Sequence, residues 1–162
     1  MILRLTKKVT KKIKLEDFDI NPKESMTVLP LSEWYINHFV LDRRGYFIIT
    51  ESKSLFSLLE QSAKISNVKI FRKWITILFR NFEKENNLKT NSIDTTILQL
   101  CKTSNRSVVG SQNDLVKMAK AMYYYDDEDY IDSSKINRTP MSYTNSFPDK
   151  DIKVEIKRRR DF

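Results

Sequence analysis

A chain of 162 residues that is 40% hydrophobic, with nine Phe, seven Tyr and two Trp, is long enough for one folded domain with an aromatic core and too apolar to be disordered throughout. Lys and Arg outnumber Asp and Glu by 29 to 21, a formal charge of +8 that favours anionic partners such as nucleic acid. A single His (His38), a single Cys (Cys101) and two glycines exclude the ordinary His/Cys zinc sites, leave little for a Cys-His or Ser-His catalytic pair, and rule out Walker and dinucleotide loops.

Residues 1–5 alternate apolar and polar and predict a short strand. Thr6 is placed to cap a helix through about Leu15, with Val9 and Ile13 inward and Lys7, Lys8, Lys11 and Lys12 on a basic face. Residues 16–30, with Pro22 and Pro30, read as a connecting loop. The start of the chain is too short for a signal-peptide core and no apolar run approaches the roughly 20 residues of a membrane span, so a cytosolic protein with no membrane partner is expected.

Trp34–Leu41 and Tyr46–Thr50 are rich in aromatic and β-branched residues, and Asp42-Arg43-Arg44-Gly45 joins them as a connection ending in glycine, which predicts a β-hairpin. Ser54–Leu59 fits either a third strand of a meander or the start of a helix. Residues 68–86 give the clearest helix, because Phe71, Trp74, Ile75, Leu78 and Phe82 recur at intervals of three and four. Its opposite side carries Lys69, Arg72, Lys73 and Arg80, a second basic face. Thr95–Cys101 reads as a further strand, with the Cys101 thiol buried and inert.

The stretch Asn105-Arg106-Ser107-Val108-Val109-Gly110-Ser111-Gln112-Asn113-Asp114 follows, a joint that feeds the apolar helical pattern of Leu115, Val116, Met118, Ala119 and Met122. Ser107 or Ser111 is placed to cap this helix, with Asn113 and Asp114 in its first turn. Read as a site, the joint offers donors from Asn105, Arg106, Ser107, Ser111 and Asn113, a close backbone approach at Gly110, and the first helix amides as an anion seat. Arg43 and Arg44 would join it if the hairpin turn converges on the joint, since arginine suits bidentate contacts to phosphate or carboxylate.

Four acidic residues, Asp126, Asp127, Glu128 and Asp129, lack the spacing of a calcium loop and read as a solvated helix end. Asn137-Arg138-Thr139-Pro140-Met141 reads as a turn, and Pro148 opens a last segment ending in Arg158-Arg159-Arg160. Residues 1–145 are expected as a single α+β domain and residues 146–162 as a basic, frayed C-terminal segment. Trp34, Arg43-Arg44, the Asn-Arg-Ser-x-x-Gly-Ser-x-Asn-Asp string at 105–114 and Asn137–Met141 together resemble a family of small bacterial proteins known only as a domain of unknown function. That resemblance implies a bacterial cytosolic α+β protein and no particular activity.

The expected architecture is a small, mainly antiparallel sheet packed against amphipathic helices on one side, open to barrel-like closure, with no periodicity that supports a parallel βαβ array. No cofactor or metal is expected. Two functions fit. One is a non-catalytic binding or regulatory protein whose partner is nucleic acid or a nucleic-acid-processing protein, inhibitors of a nucleoprotein complex included. The other is an enzyme or binder acting on a phosphate- or carboxylate-bearing small molecule through an arginine-rich pocket, with His38 its only obvious general base.

Overall fold

The structure is a computed structural model, and it describes residues 1–16, 29–90, 93, 95, 98–125, 131, 133–141, 144 and 146–161. Most of the loop expected at 16–30 and the acidic run at 126–129 lie outside the described residues. In chain order the elements are β1 (Ile2–Leu5), α1 (Lys7–Lys12), β2 (Glu33–Leu41), β3 (Arg44–Glu51), β4 (Ser57–Gln61), α2 (Val68–Glu85), β5 (Gln99–Lys102), α3 (Arg106–Tyr125), α4 (Ser133–Asn137) and α5 (Pro148–Arg160).

The fold is α+β, its five strands forming one sheet in the order β4-β3-β2-β1-β5. β2, β3 and β4 are the antiparallel meander, which resolves Ser57–Gln61 as a strand. β1 pairs parallel to both β2 and β5. Between β1 and β2 lies α1, the helix expected after Thr6, ending at Lys12 rather than running to Leu15. The sheet ends at β4 and β5 and is not closed into a barrel.

Strand alternation sends Trp34, Ile36, Phe47 and Ile49 to one face and Tyr35, Phe39, Leu41, Tyr46 and Ile48 to the other. The first face packs against Val9 of α1 and Ile13 just after it, against Phe71, Ile75, Phe79 and Phe82 of α2, and against Ile152 and Ile156 of α5. The second packs against Val108, Leu115 and Ala119 of α3 and Ile136 of α4. Helices therefore cover both faces rather than one, which accounts for the almost unbroken apolar run of β2: a strand buried on both sides needs no polar alternation. The residues expected as a frayed tail form α5, with Pro148 in its first turn, Asp149 and Asp151 complementing its N-terminus and Lys157–Arg160 its C-terminus.

Three local arrangements fix the frame. The hairpin turn has two residues, Asp42 and Arg43, both at positive φ (43° and 60°), between the paired Leu41 and Arg44. Gly45 is therefore not the turn glycine. It lies in β3, where a Cβ would collide with Ser62 Oγ and His38 Nε2. Trp34 is fully buried, edge-on to Phe79 and Phe82 at 4.9 and 5.6 Å, with its indole N–H donated to the Leu31 carbonyl at 3.0 Å. At the sheet's margin, the Asn137 carboxamide accepts from the Ser57 amide (2.7 Å) and donates to the Ser57 carbonyl (2.8 Å), so the segment read as a turn begins with a side chain that completes the pairing of β4.

Candidate functional site

β1 and β5 lie side by side and parallel, with Leu5 and Lys102 in register at their C-terminal ends. From Leu5 the chain enters α1 on the Trp34 face, and from Lys102 it leads into α3 on the Tyr35 face. Neighbouring parallel strands whose helices depart to opposite faces leave a crevice beyond their C-terminal ends, the usual place for a ligand in sheets of this kind. Here it is a cleft of about 530 Å³ lined by Thr103, Ser104, Asn105, Arg106, Val109, Gly110 and Asn113.

Behind the cleft a chain of hydrogen bonds ties three elements together. Thr6 Oγ1 donates to Asn37 Oδ1 at 3.0 Å, and Asn37 Nδ2 donates to Asn113 Oδ1 at 3.3 Å. Thr6 thus spends its hydroxyl on β2 and makes no side-chain cap for α1. The Tyr35 hydroxyl accepts from the Asn105 amide at 3.3 Å and lies 3.4 Å from Ser104 Oγ. The cap of α3 is Asn105, whose Oδ1 accepts from the Ser107 amide (2.9 Å) and the Val108 amide (3.3 Å). Neither Ser107 nor Ser111 caps the helix, and the amides expected to seat an anion are held by the protein's own carboxamide. Asn113 and Asp114 sit two turns in, Asp114 in an ion pair with Lys117 at 2.8 Å.

Arg106 and Gly110 are exposed on this side of α3. Among the described residues nothing beyond its own helix lies within 4 Å of a Cβ built on Gly110, and its φ is not positive. Neither packing nor backbone strain explains a glycine there, and the bare backbone faces the cleft. Gln112 was missed as a key residue. It is fully buried, and its Nε2 donates to Tyr35 O (2.9 Å), Ile48 O (3.2 Å) and Thr50 Oγ1 (3.0 Å), clamping α3 onto the hairpin. The signal was the spacing of Val108, Gln112, Leu115 and Ala119, which puts the glutamine on the buried stripe.

Arg43 and Arg44 do not reach this cleft. Tyr123, near the opposite end of α3, donates its hydroxyl to Asp42 Oδ2 at 3.3 Å, which anchors the hairpin turn there. Arg106 and Tyr123 are separated by about 25 Å along the helix, at 1.5 Å per residue. The single arginine-rich pocket expected from the sequence is therefore not formed.

The second basic feature is on α2. Lys69, Arg72, Lys73, Thr76 and Arg80 follow helical spacing along one stripe, and Arg72 donates from Nη1 to the Leu98 carbonyl at 3.1 Å. Arg72, Lys73, Thr76, Ile77 and Arg80 form a groove of about 460 Å³ with Thr95 and Leu98. Lys69, Lys73 and Arg80 are exposed and have no carboxylate partner among the described residues. On α1, Lys7, Lys8 and Lys11 are exposed and Lys12 is half-buried.

His38 lies half-buried in β2. Burial, then Lys12 and Lys8, lower its pKa, and its Nε2 lies 3.0 Å from Ser62 Oγ, which is fully buried and out of reach of a substrate. The Cys101 thiol is buried, and burial pushes its pKa up, away from the reactive thiolate. Among the described residues no three His, Cys, Asp or Glu side chains gather as metal ligands, and no helix is long and apolar enough to cross a membrane. Residues 2–151 match the model of a family described as a domain of unknown function (DUF6933). No curated protein and no solved structure matches the chain.

Proposed function

Because the chain belongs to the family of that domain of unknown function, a membership that carries no activity with it, we propose from geometry and charge that it is a non-catalytic binding protein whose partner is nucleic acid. The observation that carries this reading is the α2 groove, where Arg72, Lys73 and Arg80 gather on one side of a concave surface in a chain of net charge +8. The lone histidine is bonded to a buried serine, which favours binding over catalysis. Phosphates neutralised by lysine and arginine release counterions, so affinity for a short labelled oligonucleotide should fall steeply from low to physiological salt. Replacing Lys73 and Arg80 with Gln should weaken binding and lower the salt slope by about one unit per lost phosphate contact. Absence of binding at low salt would remove nucleic acid as the partner.

A second reading is favoured by Gly110. A small phosphate- or carboxylate-bearing ligand lying in the strand-end cleft would use Arg106 as its cation and need the bare backbone of Gly110 beside it. It leaves Arg43 and Arg44 out, since they sit at the far end of α3.

A further inference from the structure

Resting on the nucleic-acid reading of the α2 groove, we infer that its occupant is an unpaired strand and not a duplex. The first ground is shape. A helix reads duplex DNA by entering a major groove about 12 Å wide, and for that it must stand clear of its own protein on the side that enters. The basic stripe of α2 instead lines a concavity completed by Thr95 and Leu98, with Arg72 donating to the Leu98 carbonyl. From Arg72 to Arg80 the basic stripe of α2 runs about 12 Å along the helix axis. A single strand laid along α2 would rest in this shallow concavity of about 460 Å³ with its phosphates at Lys73 and Arg80.

The second ground is chemistry. Between the cations the groove presents Ile77, 48% exposed, and the half-buried Leu98. A duplex offers this surface only sugar and phosphate, so covering Ile77 would strip water from charged oxygens with no return. An unpaired strand offers the apolar faces of its bases to the same side chains while its phosphates meet Lys73 and Arg80. Among the described residues no aromatic side chain lines the groove, so the contact is hydrophobic and tolerant of base identity, without the stacking platform many single-strand binders use.

The test compares a labelled single strand with a duplex of the same sequence, by fluorescence polarisation at low salt, on the full chain and on Ile77→Ser and Lys73→Gln/Arg80→Gln variants whose thermal melts match the parent. The single strand should bind at least about tenfold more tightly than the duplex. Ile77→Ser should lose about fivefold or more on the single strand, since covering part of an isoleucine side chain is worth that much, and should leave duplex binding unchanged. The charge variant should weaken both. Equal or tighter duplex binding, or an Ile77→Ser variant that binds the single strand like the parent, would overturn the single-strand inference while leaving nucleic-acid binding in place. If neither nucleic acid binds, the functional reading itself fails.

Discussion

Taking the carboxamide from Asn105 strips the acceptor from the Ser107 and Val108 amides at the start of α3. Asn105→Ala is therefore expected to cost about 1 kcal/mol of stability. Ser107→Ala, which removes an exposed hydroxyl that does not cap, should stay within about 0.5 kcal/mol of the parent. Urea unfolding of the two variants decides the assignment, and a larger loss at Ser107 would reverse it. A second single-residue effect comes from Glu51, whose carboxyl is raised above its ordinary pKa by burial and by Glu155, against the lowering effect of hydrogen bonds from Ser54 and Lys53. A raised folded-state pKa means that the native state holds the extra proton, so this stabilising contribution is complete below the ordinary carboxylate range and is lost as pH rises through the raised value. Parent stability should accordingly fall relative to Glu51→Gln from about pH 4 towards neutrality. A pH-independent difference between the two would refute this account. At this scale the residue types were legible and their partners were not. A polar run before a helix announces a cap, but choosing Asn105 over Ser107 depends on where the helix begins, and Gln112 becomes a clamp only once the hairpin lies beneath it.

Among the elements, α3 invites the most direct manipulation. Gly110 lies in a helix interior with open space around it, so Gly110→Ala should stabilise the protein by about 0.5–1 kcal/mol through helix propensity alone. If the cleft beside it holds a small anionic ligand, the same methyl should weaken that ligand while raising the melting temperature. Thermal unfolding paired with a screen of phosphate- and carboxylate-bearing compounds tests both, and a destabilised variant would show that the glycine has a structural reason not yet seen. Legibility here followed length. α2 is 18 residues long and its buried stripe was readable, although the stripe is completed by the buried Phe79 with Leu78 at its margin. β1, α1 and β5 were each legible as elements, but with four, six and four residues they carry no mark of which strands they pair with, so the parallel pairings that create the strand-end cleft had no signature. The Pro148 start and the Ile152, Ile156 spacing of α5 were visible, but its heavy charge masked a helix that docks two isoleucines into the core.

For the whole molecule, the charge excess was readable as a number but not as a distribution. The fold puts part of it in a groove on α2, part along α1, and leaves the hairpin arginines at the far end of α3 from Arg106. The strand-end cleft and the α2 groove should therefore respond to mutation independently, as sites without shared partners do. The Asn137 carboxamide, seated on the Ser57 amide and carbonyl, bears on how one copy of the chain meets another. An unprotected outer strand offers a template on which a second copy can extend the sheet. Asn137 occupies the hydrogen-bonding groups such a copy would need first, so it acts as a guard against self-association as well as a fastener for α4. Asn137→Ala should consequently increase light scattering with concentration and time relative to the parent before any loss of secondary structure, and scattering equal to the parent's would mean that β4 is shielded without it.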